Sequence, residues 1–165
     1  MNVQPDYNKW AAIKHEFEGC RLGAYLDSGK VMTIGYGTTF RYDLKRKVLS
    51  GDHITLQDAV RYMQHDSVEI VRQANIYINK NLTGPQSTAI CDYIYNRGIG
   101  NFLKAQYNTW SLDELINEDP ADKRIPEIIA GTGLKDRIGN LLRGLQRRRN
   151  CEALLYKTGE LKFNF

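Results

Sequence analysis

At 165 residues, 42% hydrophobic and 25% charged, the chain is long enough for one substantial core or for two small lobes sharing a helix, and its composition excludes a mostly disordered chain. A formal charge of +4 and a pI near 8.9 suit an anionic partner such as nucleic acid, lipid headgroups or a bacterial wall without choosing among them. Three cysteines, Cys20, Cys91 and Cys151, form no close pair and suggest neither a disulfide framework nor a metal knuckle, so they read as reduced structural thiols. The segment from Met1 to Asp6 has no positive region leading into an apolar run, and no later stretch approaches a membrane span; folding in the cytoplasm is the expectation.

In chain order, Trp10, Ile13 and Phe17 recur at helical spacing and predict a first helix over 7–18, weakened at Gly19. Val31, Thr33, Ile34 and Tyr36 are β-branched or aromatic and follow the turn chemistry of Ser28-Gly29, which predicts a β-hairpin with Asp27 and Thr33 on its two arms. Gly35 and Gly37 alternate with Ile34 and Tyr36, marking either a close approach of another backbone or ligand, or simple bends at strand ends. Residues 41–51 mix Lys45, Arg46 and Lys47 with Leu44, Val48 and Leu49 and read as a short helix or a loop with a solvated charged face. Thr55 then offers an N-cap with Asp58 three residues on, opening a helix predicted over 56–81, roughly 37 Å long at 1.5 Å per residue. A helix of that length in so short a chain is expected to bridge two lobes.

Thr83, Pro85 and Gln86 restart the chain with a second capping box, and the helix that follows turns Ala89, Ile90, Tyr93 and Ile94 inward and stops at Arg97-Gly98. Ser111 with Glu114, and Asp119-Pro120 read as N-cap and N1, announce two further helices. Gly131-Thr132-Gly133 breaks the pattern. A last helix over 136–156 carries Ile138, Leu141, Leu142, Leu145, Leu154 and Leu155, with Arg143, Arg147, Arg148 and Arg149 in its middle. The expected organisation is one domain over 1–165 of an α+β class. It has a small mixed lobe at about 15–55, a linking helix over 56–81 and a helical lobe over 82–165, on which the helix over 7–18 packs.

Cleavage of a glycosidic bond needs two carboxyls in different protonation states facing each other across the sugar. Glu18, beside an apolar helix face, is the better candidate for a pKa raised by desolvation, while Asp27, on a hairpin open to water, is expected to stay ionised. That pairing alone does not single itself out, because the chain has nineteen acidic residues and most such residues are solvated surface.

The spacing Glu18-x8-Asp27-x5-Thr33, set in Glu-Gly-x-Arg-Leu-x-Ala-Tyr-x-Asp and followed by Thr-Ile-Gly-Tyr-Gly, resembles the active-site signature of the phage-type lysozymes, or endolysins, glycoside hydrolase family 24. Gln86, then Asn96-x-Gly98-x-Gly100-Asn101-Phe102, then Gly144-Leu145-x-x-Arg148-Arg149-x-x-Glu152 resemble later family segments in the same order, so the likeness spans most of the chain. It implies a lysozyme-like α+β fold with its cleft between the lobes, and inverting hydrolysis of the β-1,4 bond between N-acetylmuramic acid and N-acetylglucosamine in peptidoglycan for host cell lysis. By motif position Glu18 is the general acid, Asp27 orients or deprotonates the attacking water, and Thr33 holds that water. Tyr95, Asn96, Arg97 and Phe102 match the segment that faces the glycan, and Arg148 is the choice for an arginine that pairs with Glu18. No metal or cofactor is implied. The partners implied are peptidoglycan and a separate holin-type protein that opens the membrane, with a monomer made in the host cytoplasm and acting on the wall, and with neither nucleic acid nor stable membrane insertion.

Two departures stand out. Gly29 comes two residues after Asp27, where the family commonly has glycine three after, and Thr38 stands where many relatives place a histidine. The rival readings are a lytic transglycosylase of the same fold, which would dispense with the water-positioning residue, a non-catalytic wall-binding phage component, and a small nucleic-acid binder resting on the arginine run alone. His15, His53 and His65 have no Ser or Cys partner by spacing and read as surface or satisfied residues.

Overall fold

The computed structural model describes residues 1–27, 30–134 and 141–165. Its contacts divide into two compact units, one of residues 1–10 with 69–165 and the other of residues 11–68. Two helices, α1 (Tyr7–Glu18) and α2 (Leu56–Tyr77), each run through a boundary between these units.

In the unit of residues 11–68, α1 turns Ile13 and Lys14 inward and ends at Glu18, where Gly19 takes a left-handed φ of 70° and its N–H bonds His15 O at 3.2 Å. A left-handed residue directly after the last helical one is the usual helix stop, and glycine adopts it without a Cβ penalty. Strand β1 (Arg21–Leu26) then pairs antiparallel with β2 (Met32–Gly35), Tyr25 opposite Thr33 and Leu26 opposite Met32. The other edge of β1 is also engaged: Ala24 N–H donates to Asp52 O at 2.8 Å and Ile54 N–H to Leu22 O at 2.9 Å. Ser28-Gly29, the predicted turn, lies outside the described residues. A second tight reversal follows, with Ile34 and Thr38 exchanging backbone bonds of 2.9 and 3.0 Å. Gly35 sits where an added Cβ would come within 3.3 Å of Ala59 Cβ, so here the close-approach reading holds.

The expectation of a helix or loop over 41–51 is corrected: β3 (Phe40–Arg41) pairs with β4 (Arg46–Lys47) as a hairpin. Its charges are not all solvated. Arg41 is buried against Asp43 and Tyr62, and Arg46 grips Asp52 with bonds of 2.7 and 2.8 Å. The capping box at the head of α2 is present, with Asp58 N–H on Thr55 Oγ1 at 3.1 Å and Thr55 N–H on Asp58 at 3.2 Å. α2 ends at Tyr77, four residues before the expected boundary, because Asn117 intercepts it: its amide donates to Tyr77 O at 2.7 Å and its Oδ1 accepts from Asn79 N–H at 2.8 Å. Its 22 residues span about 33 Å.

The other unit is helical and centred on α3 (Gly84–Arg97), capped by Thr83 and Gln86 as expected and buried from Ser87 to Ile94. The one-turn α4 (Ile99–Phe102) leads to a ribbon of β5 (Gln106–Tyr107) and β6 (Trp110–Ser111), then α5 (Leu112–Glu118), α6 (Arg124–Gly131) and α7 (Arg143–Thr158). Both α3 and α6 pack on α7, enclosing Ile90, Leu112, Leu115, Ile125, Ile129 and Leu155 at 0% exposure, each worth about 1.5–3 kcal/mol when fully buried. Asp119-Pro120 does not begin a helix. Asp119 closes α5 with its N–H on Leu115 O and turns the chain by accepting from Ala121 N–H, and α6 starts only at Arg124, whose N–H is taken by Asp122. The last helix starts later than expected. Of the predicted first turns, 136–140 lie outside the described residues, while Leu141 and Leu142 precede α7 as exposed, non-helical residues.

Candidate active site

Glu18, Asp27 and Thr33 all fall in the unit of residues 11–68. Glu18 is the exposed last residue of α1, and only Gly19 and Cys20 separate it from β1. Asp27, half-buried, follows the last residue of β1 and is tied into the loop: its N–H donates to Val31 O at 3.0 Å, its O accepts from Lys30 N–H at 3.0 Å, and its Oδ1 accepts from Val31 N–H at 2.8 Å. One carboxylate oxygen therefore orients the side chain. Thr33 on β2 is buried, and its hydroxyl donates to Val31 O at 3.0 Å, so its proton is engaged while its lone pairs can accept.

Lys30, three residues after Asp27, takes a left-handed φ of 60°, a conformation that suits glycine. Thr38 donates its hydroxyl to Asp66 Oδ2 at 2.5 Å, and Tyr42 donates to the other oxygen, also at 2.5 Å. Thr38 thus serves as an uncharged partner to that carboxylate. Alongside β2 runs a groove of about 440 Å³ lined by Lys30, Val31, Met32, Phe40, Lys47 and Leu49.

Tyr25 is the residue that sequence reasoning passed over. It stands opposite Thr33, and Arg21 Cζ lies 4.5 Å from its ring centroid. Burial pushes its phenol above the ordinary value; Arg21 pulls it down, and the charges of Asp27, Glu18 and Cys20 push it further up. Tyr25 therefore lies in the field of both predicted carboxylates. The signal was present as strand alternation: a residue directly opposite Thr33 shares its face of the hairpin.

The remaining predicted residues fall in the other unit. Tyr95 is half-buried, with Arg148 Cζ 5.8 Å from its ring centroid. Asn96 accepts from Arg149 Nη2, and Arg97 packs closely against Gly133 while its O accepts from Asn101 at 2.6 Å; Phe102, expected to face the glycan, is instead completely buried, edge-on to Tyr93. Arg148 is buried and bidentate on Asp92 at 2.9 Å through each nitrogen, with Glu152 Oε1 3.5 Å away. Arg149 pairs with Glu152, and Trp10 Nε1 donates to Asp92 at 3.0 Å.

This buried cluster joins residues up to 82 positions apart, a proximity the periodicity of single helices does not reveal. Burial pushes the Glu152 carboxyl well above its ordinary value, against Arg149 and with the neighbouring Asp92 reinforcing it. Burial works against the Asp92 carboxylate too, yet Arg148, by charge and hydrogen bonds, holds it below its ordinary value.

Cys91 and Cys151 are buried, Cys20 is half-buried, and all three are unbridged. Among the described residues no group of three His, Cys, Asp or Glu side chains is arranged to hold a metal, and no helix is long and apolar enough to cross a membrane.

The curated relatives are phage proteins. An endolysin of Acyrthosiphon pisum secondary endosymbiont phage 1 is 33% identical over 94 residues, 57% of this chain and 60% of that protein. A SAR-endolysin of bacteriophage PS119 is 29% identical over 85 residues, 52% of this chain and 48% of that protein. The matched stretch thus spans about half to three fifths of these relatives' length. Among solved structures, an endolysin from Escherichia coli O157:H7 phage FAHEc1 superimposes with a TM-score of 0.80 at 28% identity, covering 98% of each chain, which establishes the lysozyme-like α+β fold. The family model for phage lysozyme matches residues 15–152, a span containing Glu18, Asp27, Thr33 and Arg148, and the chain belongs to the phage lysozyme family of glycoside hydrolases.

Proposed function

We propose that this protein is an endolysin-type muramidase that hydrolyses the β-1,4 bond between N-acetylmuramic acid and N-acetylglucosamine in peptidoglycan, with inversion at the anomeric carbon. The observation that carries the reading is the local geometry within a family member: one helix end and one hairpin bring Glu18, Asp27 and Thr33 into the same small unit, with Tyr25 in the field of both acids.

In this mechanism Glu18 donates its proton to the leaving glycosidic oxygen as the C1–O bond breaks. A water held by Thr33 Oγ1 attacks C1 from the opposite face and gives its proton to Asp27. The bond to Val31 O supports this role for Thr33, since with its own proton engaged the hydroxyl receives a hydrogen bond from that water. Val31 N–H on Asp27 Oδ1 leaves the second carboxylate oxygen to take the proton. An inverting pair stands roughly 6.5–9.5 Å apart to admit the water. Tyr95, Asn96 and Arg97 are assigned to the glycan, with Arg148 behind the Tyr95 ring. Residues 1–165 act as a single lysozyme-like domain, as a monomer and without a cofactor.

The test is proton NMR of freshly digested glycan: the α-anomer as first product supports inversion, the β-anomer contradicts it, and 1,6-anhydromuramic ends would instead make the protein a transglycosylase. For access to the wall, the proposal is synthesis in the host cytoplasm and passage through a membrane opened by a holin-type protein. The relation to a SAR-endolysin favours a second route. Expression in host cells with and without a holin-type protein separates them, since lysis by this chain alone would select the second.

A further inference from the structure

The ribbon of β5 and β6 carries two half-exposed aromatic residues and plays no part in the chemistry above. Asn108 and Thr109 form its two-residue loop, with Asn108 at a φ of 56°, the left-handed conformation that such a loop demands. The register sets Tyr107 opposite Trp110, so both side chains leave one face of the ribbon. They are 41% and 42% exposed, whereas the chain's other tryptophan, Trp10, is fully buried.

The support beneath them is buried and hydrogen-bonded. Leu112 N–H closes the base of the ribbon on Ala105 O at 2.8 Å, and both residues are buried. Arg124 Cζ lies 5.9 Å from the Trp110 ring centroid, and Asp122 fixes its guanidinium through bonds of 3.0 Å from Nε and 2.5 Å from Nη2.

We infer that the Tyr107–Trp110 ribbon is an accessory glycan platform that stacks N-acetylhexosamine rings of the peptidoglycan strand, an inference that rests on the muramidase reading. A pyranose ring offers apolar C–H faces and polar edges, and two flat aromatics half open to solvent, one carrying a phenolic hydroxyl, match that alternation. Each ring has only two rotatable side-chain bonds, so little conformational freedom is lost on stacking. Asp122 neutralises Arg124 beside the platform, which favours an uncharged sugar ring over a polyanion such as nucleic acid.

Trp110 reports on its own occupancy. Tryptophan emission is followed in the Glu18→Gln background, so that the ligand is not digested, during titration with the N-acetylglucosamine tetramer. A saturable blue shift that vanishes in Trp110→Phe is expected, since that variant leaves only buried Trp10 to emit. Replacing both Tyr107 and Trp110 with alanine is expected to weaken retention on purified peptidoglycan about tenfold with an unchanged thermal melt. Emission unmoved by the tetramer, or wall retention unchanged in the double variant, overturns the platform. So does a response confined to a single-stranded oligonucleotide and abolished by salt. If the platform fails while the wild type still clears wall, the muramidase reading stands. A Trp110 response to the tetramer in a protein that releases no wall fragments removes the muramidase reading and leaves sugar stacking intact.

Discussion

Two sets of carboxylates, one in each unit, differ in what surrounds them. Asp92 and Glu152 are at 0% exposure, enclosed by Arg148, Arg149 and the Trp10 indole, whereas Glu18 is exposed and Asp27 half-buried at the mouth of a hairpin. A buried ion cluster locks partners in place, because removing one member leaves another charge uncompensated. A carboxylate at a helix end or loop keeps access to water and substrate. The same side-chain chemistry thus serves the fold in one unit and, in the proposed mechanism, catalysis in the other, and substitutions should separate the two roles.

The largest expected effect is on catalysis. Glu18→Gln keeps the size of the side chain and removes the donatable proton, so wall clearing should fall by roughly 10²–10⁴-fold while the thermal melt stays unchanged. Asp27→Asn should lower turnover severely too, with a small stability loss at the loop it ties together. Arg148→Ala should do the reverse in kind: unfolding in denaturant should show a loss of about 3–5 kcal/mol, because Asp92 remains buried without its bidentate cation.

The dependence on pH sharpens the contrast. Glu152, raised in the folded state, contributes stability that is full below its unfolded value of about 4.3 and is lost as pH rises through its folded value. Asp92, held low by Arg148, contributes the opposite way, with stability present above about 3.9 and lost as pH falls. Glu69, lowered to about 2 by Arg72 and Gln73, and Asp122, lowered to about 2 by Arg124, add to that acid-side loss. Glu152→Gln should therefore flatten the alkaline side of a melting-temperature profile and leave the acid side in place. A smaller effect is expected at the hairpin: Lys30→Gly relieves a left-handed lysine and should stabilise the protein by about 1 kcal/mol, read as a raised denaturant midpoint.

Much of this architecture was legible where periodicity is long and caps are explicit. Thr55 with Asp58, Thr83 with Gln86 and Ser111 with Glu114 marked three helix starts correctly, because each box satisfies backbone donors by local bonds that leave a local pattern. The β3–β4 and β5–β6 ribbons were missed because two-residue strands hold too little alternation to register. Asp119-Pro120 misled because an Asp before Pro suits a turn as well as an N-cap, and here Asp122 and Arg124 claim the helix start. Of the candidate site, the order of Glu18, Asp27 and Thr33 on helix end and hairpin could be read from spacing. The influence of both acids' charges on Tyr25, and the burial of Arg148 among distant partners, depended on packing that spacing does not encode.

Catalysis by Glu18 is tested most directly by digesting purified peptidoglycan with the wild type and with Glu18→Gln side by side and weighing the soluble fragments by mass spectrometry. The account predicts muropeptides with reducing ends from the wild type and none above background from the equally well folded variant. Equal release from both proteins would contradict it.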